Sequence, residues 1–386
     1  MALTPAQVAT MDQAFYAAAT RRSQPIVPQP GLASGGVVSI KMPKAGIGTH
    51  LLLTISGTLS RTEGATVGTV TASPYGPWNA VQALSFTDYA GVTRLGNLNG
   101  WQLQIRRLIQ ILRQSSQLLT IGGAAPSWGS AVYAFSIPAG VASSTTTSAF
   151  VMQLLVPFSI RENSVRGSYP FTVPDGESTL SFTLQPAVAM AAAGATPSPD
   201  NIVLIPNVAG ATTTVSLTNV TVSGTFYYYD AATGTPSPVG EISQVYELVR
   251  TRKTGLSAGN PAQFTLLTGR TYLRMFNELV LNGLPDTLDV QAVKFMENGA
   301  TPIRGDNMPE YQAYSNDRYG QPLPAGSFIF DWFTNPWDPS SYGSLDTQLQ
   351  ISAAATIGTV AWLDVTRECL YVASQQPQLV KAGSAA

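Results

Sequence analysis

Short runs of strand-forming residues, separated by clusters of turn residues, recur along the whole 386-residue chain. The runs are rich in Val, Ile, Leu, Thr and Tyr, whereas Pro and Gly gather between them. This pattern predicts many β-strands of modest length, and a chain with many strands and few helices folds as a sandwich or a barrel. The candidate strands are residues 37–42, 51–59, 81–87, 149–156, 178–184, 213–229, 242–251, 271–281, 288–295, 327–333, 347–352 and 358–372.

A Pro- and Gly-rich break at residues 231–241 divides these strands into two series. Such composition is typical of the segments between domains. The predicted units are an N-terminal helix and extended arm at residues 1–35, a first β domain at 36–235, and a second β domain with a C-terminal tail at 236–386. Long irregular insertions between some strands fit a jelly roll, whose loops gather at its ends.

One helix is predicted inside the strand series, at residues 101–113. Its apolar residues recur at helical spacing, so the helix is expected to lie on a sheet. Its polar residues are expected to be solvated or to lie at an interface. The stretch 297–324 is polar, and a loop is predicted there. The apolar face consists of Trp101, Ile105, Leu108, Ile109 and Leu112, and the polar face of Gln102, Arg106, Gln110 and Arg113.

A second, amphipathic helix is predicted at the N-terminus. Thr4 can cap it, Pro5 suits its first position, and Gln7 completes a capping box. Two arginines follow its C-terminal end, where positive charge suits the helix dipole, and a Pro-rich arm follows at 23–36. Two interpretations stay open, since the helix can pack on its own subunit or project to a neighbouring subunit or a membrane surface. The candidate interaction residues are Val8, Met11, Phe15, Arg21 and Arg22.

The surface of this protein is expected to be largely covered by other protein. Only 11% of the residues are charged and the formal net charge is −1, whereas an average domain has roughly 25% charged residues. A net charge near zero favours association. The same composition argues against direct nucleic-acid binding, because phosphate contacts need clustered Lys and Arg.

Residues that catalysis or metal binding would require are scarce. His50 and Cys369 are the chain's one histidine and one cysteine, which excludes an internal disulfide and a zinc site built from Cys and His. Both lie in apolar surroundings, and a structural role is expected for each. The carboxylates form no recognisable catalytic pair, and neither a Walker loop nor a dinucleotide fingerprint occurs. The sequence therefore predicts no catalytic residue, no cofactor and no metal site.

Two further clusters have a structural and a functional interpretation. Arg250, Arg252 and Lys253 form the densest basic patch, and they are expected to solvate a strand end. Four aromatic residues near position 335 are expected to pack in the core and in loops, although they could also form a platform for sugars. A carbohydrate-binding or carbohydrate-active jelly-roll protein is therefore the alternative function. These aromatic residues are Trp332, Phe333, Trp337 and Tyr342.

Two segments resemble a known family of viral coat proteins. Residues 76–86 read Gly-Pro-Trp-Asn-Ala-Val-Gln-Ala-Leu-Ser-Phe and lead through Asp88 and Arg94 to the pair Gly100-Trp101. This segment resembles the first jelly roll of tectivirus major capsid proteins, in which a Gly-Pro-x-Asn turn opens a strand and a Gly-Trp pair opens the next helix. Residues 323–331, Leu-Pro-Ala-Gly-Ser-Phe-Ile-Phe-Asp, resemble a second-jelly-roll segment of the double jelly-roll capsid proteins of large DNA viruses.

The match extends to the N-terminus and departs in one loop. Residues 3–7, Leu-Thr-Pro-Ala-Gln, resemble the opening of the N-terminal helix in that phage family. Residues 339–343 read Pro-Ser-Ser-Tyr-Gly where family members often have Pro-Ser-Gly. The departure weakens the match to the wider lineage more than the match to the phage branch.

The resemblance implies a mainly β chain of two tandem eight-stranded antiparallel jelly rolls. It implies a bacteriophage major capsid protein that is not an enzyme. Homotrimers of pseudo-hexagonal outline would tile an icosahedral virion shell, over an internal membrane and beside other capsid proteins at the vertices. The N-terminus lacks the charged start and apolar core of a signal peptide, so synthesis in the host cytoplasm is expected. Deleting residues 1–22 is expected to leave trimers intact and to impair shell assembly.

Overall fold

Two sets of antiparallel strands follow one another along the chain, and three helices flank them. The computed structural model describes residues 3–114, 133–173, 176–232, 234–297, 301–320, 322–339 and 344–372. The helices are α1 (Pro5–Ala18), α2 (Gly100–Gln114) and α3 (Met308–Tyr319), and a 3-10 turn spans Trp78–Ala80.

The first set builds two facing sheets. Their strands are β1 (Ala19–Pro25), β2 (Gln29–Leu32), β3 (Val37–Lys41), β4 (Ile47–Glu63), β5 (Thr71–Ala72), β6 (Val81–Thr87), β7 (Thr93–Leu98), β8 (Tyr133–Phe135), β9 (Thr145–Pro157), β10 (Thr179–Leu184), β11 (Val188–Ala189), β12 (Val203–Leu204) and β13 (Thr213–Ala231). One sheet has the order β1-β13-β4-β9-β8, with β2 also pairing β13, and the other contains β7-β6-β10-β3.

The second set repeats this plan. Its strands are β14 (Val245–Lys253), β15 (Pro261–Thr265), β16 (Thr271–Leu281), β17 (Leu284–Pro285), β18 (Val290–Glu297), β19 (Thr301–Asn307), β20 (Ser327–Asp331), β21 (Leu345–Ile351) and β22 (Trp362–Tyr371). One sheet contains β14, β22, β16 and β20 in that order, and the other has the order β15-β21-β18-β19.

Both sets have the strand order of a jelly roll. With β1 and β2 taken as one interrupted strand, and the two- and three-residue strands left out, each set has eight strands. The first, eighth, third and sixth form one sheet, and the second, seventh, fourth and fifth form the other. This is the arrangement produced by two Greek keys. The prediction of two tandem eight-stranded jelly rolls is therefore confirmed.

The two rolls are joined by hydrogen bonds as well as by the chain. Strand β7 of the first roll pairs in parallel with β14 of the second, at Leu95 with Leu248 and Gly96 with Val249. The pairing makes a single nine-stranded sheet that runs through both rolls. The chain crosses between the rolls after β13 ends at Ala231 and before β14 begins at Val245. The domain boundary at 236 stays a prediction, and it falls within this connection.

The shared sheet is buried on both faces where it belongs to the second roll. Alternate residues of a strand point to opposite faces. On β22, Trp362 and Leu370 join the apolar cluster of the first roll, whereas Leu363, Val365 and Cys369 join that of the second. The two cores therefore lie on either side of one sheet.

Two parts of the predicted arrangement were wrong. Half of the arm at 23–36 is strand, because β1 and β2 hydrogen-bond to β13 and so complete the first roll. The predicted loop at 297–324 contains β19 and α3. Helix α3 begins with a capping box, in which the side chains of Asn307 and Glu310 each accept a backbone N–H. The sequence did not predict this helix, because its residues are mostly polar and apolar residues at helical spacing were the signal used to locate helices.

Helix α2 begins where two backbone segments come unusually close. A Cβ atom on Gly100 would lie 2.1 Å from the carbonyl oxygen of Trp78 and 3.1 Å from the Cδ1 atom of Leu154. A side chain does not fit there, so glycine is required by close approach of the backbone. The Gly-Trp pair that opens the helix thus has a steric reason.

The substitution Gly100→Ala is expected to destabilise the protein by about 1–3 kcal/mol, as overpacking of a filled site does. Alanine would otherwise favour a helix by about 1 kcal/mol over glycine. The free energy of unfolding in urea checks this. Gly305→Ala is the matched control, since a Cβ atom there meets only the Cγ atom of Lys294, at 3.7 Å. Equal values for the two variants would contradict the close approach.

Candidate functional site

The polar face of α2 is buried between the two jelly rolls. Gln102, Arg106 and Gln110 are 2%, 1% and 9% exposed. The sequence left solvent and an interface as alternatives for these side chains, and the structure places them at an interface inside the subunit. The side chain of Arg113 lies outside the described residues. We call the contact between α2 and the β14-β22-β16 sheet the joint.

A fully buried carboxylate lies at the centre of the joint. Glu368 on β22 accepts a hydrogen bond from the Nε of Arg106 at 2.9 Å and one from the hydroxyl of Tyr246 at 3.1 Å. Its other oxygen lies 2.8 Å from the Nε of Arg274 on β16. The Nη2 of Arg106 also donates to the carbonyl oxygen of Ile160, at 3.3 Å. One carboxylate thus connects α2 of the first roll with two strands of the second.

The burial of these charges makes the contact specific. Moving an unpaired ion from water into a protein interior costs several kcal/mol, and only a well-placed partner offsets that cost. Arg106 and Arg274 are each 1% exposed and Glu368 is 0% exposed. A shifted α2 would leave Arg106 buried without its partner and Glu368 with Arg274 alone. The pairing therefore fixes the position of the first roll on the second.

A second ionic cluster links the rolls near the other end of β22. Asp364 lies 2.9 Å from the Nη2 of Arg250 and 2.6 Å from the Nη2 of Arg252. Arg252 also binds Asp200 of the first roll, at 2.5 Å, and stacks on Trp362 with 4.0 Å between its Cζ atom and the ring centroid. The expectation that this basic patch is solvated was wrong for Arg250, which is 7% exposed.

These joint residues carry a sequence signal that periodicity alone did not reveal. Arg274 and Glu278 interrupt the apolar run of β16, and Asp364 and Glu368 interrupt that of β22. Charged residues at every fourth position of a strand lie on one face. A strand with such a face must bury it against charged partners or leave it in solvent. The sequence cannot tell which, because the partners lie up to 262 residues away.

Helix α1 packs on its own subunit. Phe15 is 3% exposed and lies in a small apolar cluster with Ile47, Val165 and Ile242. The Oδ1 of Asp12 accepts a hydrogen bond from the backbone N–H of Gly240 at 3.1 Å. Phe15 is therefore a core residue, which corrects its assignment to an outward-facing surface. The helix covers the connection between the rolls.

The other candidate interaction residues are more accessible. Val8 and Met11 are half-buried, and Arg21 and Arg22 are exposed. The two arginines lie on β1, three and four residues beyond the end of the helix at Ala18, so they do not form part of a helical surface. The Nε of Arg22 lies 3.3 Å from the Oδ2 of Asp230 on the neighbouring strand. Contact of Val8, Met11, Arg21 or Arg22 with a neighbour or a membrane stays a prediction.

Comparison with known proteins connects this architecture to a family. The family model described as "P3 major capsid protein N-terminal" matches residues 3–223. That range is more than half of the chain and covers α1, most of the first roll and α2. The chain belongs to the P3 major capsid protein family. No curated protein matches it.

Solved structures extend the likeness of this capsid protein across both rolls. The atomic structure of Sulfolobus turreted icosahedral virus contains a chain that matches with a TM-score of 0.61 and 13% identity, over 92% of this chain and 91% of that one. The crystal structure of the STIV MCP matches with a TM-score of 0.59 and 14% identity, over 92% and 97%. The PBCV-1 capsid matches with a TM-score of 0.50 and 12% identity, over 91% and 93%. At these identities the likeness establishes the double jelly-roll fold. Together with the family model, it makes the protein the major capsid protein of an icosahedral virus.

The two single-copy residues of the capsid protein are both buried. The ring of His50 on β4 stacks on Tyr227, with 4.6 Å between centroids, and its Nδ1 lies 3.0 Å from the Oγ1 of Thr49. Burial, followed by the nearby charges of Arg21 and Arg106, lowers the pKa of His50 to about 4. Burial raises the pKa of the Cys369 thiol far above its usual range. His50 and Cys369 are thus neutral at pH 7.

The aromatic residues near position 335 lie in two places, the core of the second roll and an open cleft. Trp332 and Trp337 stack on each other at 5.9 Å and pack beside Phe295 in the second core. Phe333 lies in an open cleft with Arg161 and Arg166. Tyr342 lies outside the described residues. The tryptophans that would form a sugar platform are thus engaged within the second roll.

The described part of the chain has neither a cluster of metal ligands nor a membrane-spanning helix. Within the described residues, no group of three or more His, Cys, Asp or Glu side chains could hold a metal ion. Within the same residues, no helix is both long enough and apolar enough to cross a membrane.

Removing Arg106 is expected to destabilise the capsid protein by about 3–5 kcal/mol, because Arg106→Ala leaves Glu368 buried with one cation fewer. Thermal or urea unfolding measures this. Arg107→Ala is the matched control: it removes the same type of side chain from the next position of α2, where the residue is half-buried and lies outside the joint. Its expected effect is within about 0.5 kcal/mol. Equal losses in both variants would mean that the joint does not depend on this ion pair.

Proposed function

We propose that this major capsid protein forms homotrimers of pseudo-hexagonal outline, and that these trimers tile the icosahedral shell. The observation that carries the proposal is the repetition of one strand order in two rolls that share a sheet. Three copies of a subunit with two similar rolls present six similar units around an axis. Such a trimer fills a hexagonal lattice with a single type of chain.

The rigid joint supports this proposal. A capsomer can repeat the same contacts across a shell only if its two halves keep one relative orientation. The buried ion pair of Arg106 on α2 with Glu368 on β22 provides that restraint. The low charge of the chain also fits a protein whose sides are covered by other copies. We further propose a structural, non-enzymatic role, made up of contacts with itself and with other capsid proteins at the vertices, without direct nucleic-acid binding.

Light scattering of the purified full-length chain tests the trimer. We expect a single species with three times the subunit mass of 40.8 kDa, held by contacts that each bury about 2,000 Å² or more. A monodisperse monomer at micromolar concentration would refute the trimer. Electron microscopy of assembled shells tests the outline, and capsomers without six-fold appearance would refute the tiling.

The exposed side of α1 is the surface that we propose for contact with a neighbouring trimer or an internal membrane. Ala9, Gln13 and Ala17 are exposed and lie one helical turn apart. The opposite side of the helix holds Phe15 and Asp12 against the subunit. A deletion of residues 1–22 would remove Phe15 and half of β1 as well. Destabilisation of the subunit, and not only loss of assembly, is therefore expected from that deletion.

A double substitution separates assembly from folding. Ala9→Glu with Gln13→Glu is expected to leave the trimer and its melting temperature nearly unchanged, since exposed substitutions cost within about 0.5 kcal/mol. The yield of shells in an assembly reaction is expected to fall several-fold, because two carboxylates would enter the proposed contact. Ala9→Gln is the matched control and is expected to assemble normally. Normal assembly of the doubly charged variant would show that this side of α1 makes no essential contact.

A further inference from the structure

One carboxyl group in the joint has no cation of its own among the residues that the structure describes. Glu278 on β16 is 1% exposed, and its Oε2 accepts a hydrogen bond from the Nε2 of Gln102 on α2 at 2.7 Å. Its Oε1 has no hydrogen-bond partner among the described residues. A buried ionised carboxylate normally needs a paired cation or several donors. Glu278 has one neutral donor.

The charged groups around Glu278 form ion pairs with each other. Asp364 faces Glu278 on the neighbouring strand β22. Arg250 and Arg252 both bind Asp364, and Arg252 also binds Asp200. Two cations thus neutralise two carboxylates, so an ionised Glu278 would add an unbalanced negative charge next to Asp364.

More distant cations on the same elements do not change this balance. Arg274 lies four residues along β16, about 13 Å away at the spacing of a strand, and it binds Glu368. Arg106 lies one turn of α2 beyond Gln102 and binds the same Glu368.

The remaining groups that surround Glu278 are neutral. Tyr75 is buried, its hydroxyl has no hydrogen-bond partner among the described residues, and burial raises its pKa well above the usual value. Ser327 faces Glu278 from the other neighbouring strand, β20, and its hydroxyl also has no partner in the described part of the chain. Burial, with the charge of Asp364 as the second cause, raises the pKa of Glu278 to about 8.

A small pocket lies next to this region. It has a volume of about 210 Å³ and lies beside α3, where Thr287, Tyr311, Ser315 and Ser327 contribute to its lining. A water molecule occupies roughly 30 Å³ in the liquid, so the pocket has room for several. Ser327 borders the pocket and is also the cross-strand neighbour of Glu278. Cross-strand neighbours have Cβ atoms about 5 Å apart, so a single water molecule can connect the pocket to the carboxyl group.

We propose that Glu278 is a proton-controlled latch of the joint, which holds α2 on β16 while it is neutral and loosens that contact when it ionises in mildly alkaline solution. The ionised carboxylate would lie beside Asp364 without a cation. Water admitted between α2 and the sheet would lower the free energy of that charge, and the two rolls would gain freedom relative to each other.

The direction of the pH dependence follows from the raised pKa. A carboxyl group with a folded-state pKa above its unfolded value stabilises the fold below the unfolded pKa, and this contribution is lost as the pH rises through the folded pKa. For Glu278 the loss extends from about pH 4.5 to about pH 8. His50, with its pKa lowered to about 4, acts in the opposite direction below pH 6.5. The window from pH 6.5 to 8.5 therefore isolates Glu278 from His50.

The isosteric variant Glu278→Gln tests the latch in the full-length protein. For the unsubstituted protein, the unfolding equilibrium constant is expected to rise up to tenfold per pH unit between pH 6.5 and 8, as release of one proton requires. Backbone hydrogen exchange in α2 and β16 should accelerate over the same range. In Glu278→Gln both pH effects are expected to disappear. Glu177→Gln removes an exposed carboxylate instead, and it should keep the pH dependence of the unsubstituted protein.

Infrared spectroscopy reports the protonation state directly. A carbonyl stretch of a protonated carboxylic acid should be present at pH 6.5, vanish by pH 9 and be missing in Glu278→Gln. Absence of this band at pH 6.5 in the folded protein would overturn the proposal. It would equally be overturned if Glu278→Gln kept the pH dependence of hydrogen exchange in α2, even when the variant is less stable overall.

Discussion

The pairing of Arg106 with Glu368 is the contact on which the arrangement of the two jelly rolls depends. Arg106 reaches out of a helix that belongs to the first roll, and Glu368 lies on the central strand of a sheet that belongs to the second. Both side chains are shielded from water. Apolar surfaces can slide against each other with small changes in free energy, whereas a buried ion that loses its partner is strongly destabilised. The joint therefore has one favourable position.

This restraint matters for a shell protein because the rolls themselves are similar. Each roll has an apolar cluster, and the parallel pairing of β7 with β14 contributes only a short ladder. The ionic clusters at Glu368 and Asp364 add a second and a third fixed point along β22. Helix α1 adds a fourth, since it packs over the connection between the rolls through Phe15 and Asp12. A subunit held at four points presents the same outline to every neighbour.

The apolar clusters and the joint differ in how they respond to pH. The apolar clusters consist mainly of side chains that do not titrate, and burial raises the pKa of the tyrosines and of Cys369 within them, so the clusters tolerate changes of pH around neutrality. The joint differs from the clusters at Glu278, whose buried carboxyl group accepts a hydrogen bond from Gln102 and has no paired cation among the described residues. We propose that the contact at Glu278 responds to pH. The location of such a contact between the rolls, and not within either core, would allow the outline to change without unfolding.

Local patterns along the chain were sufficient to predict most strands and the helix at 101–113. Period-two patterns and turn residues act over a few neighbours, so they can be read from the sequence. The same patterns missed β19 and α3, whose residues are mostly polar, and they misassigned β1 and β2, whose partner strand lies about 200 residues away. By itself the sequence determined a β-rich, two-part chain of low charge, and its motifs indicated the capsid family. Only the tertiary structure decided that Phe15 is core, that Arg106 and Arg250 are buried, and that Glu278 has no cation. Those properties depend on which distant side chains meet across α2 and β22, and no local pattern contains that information.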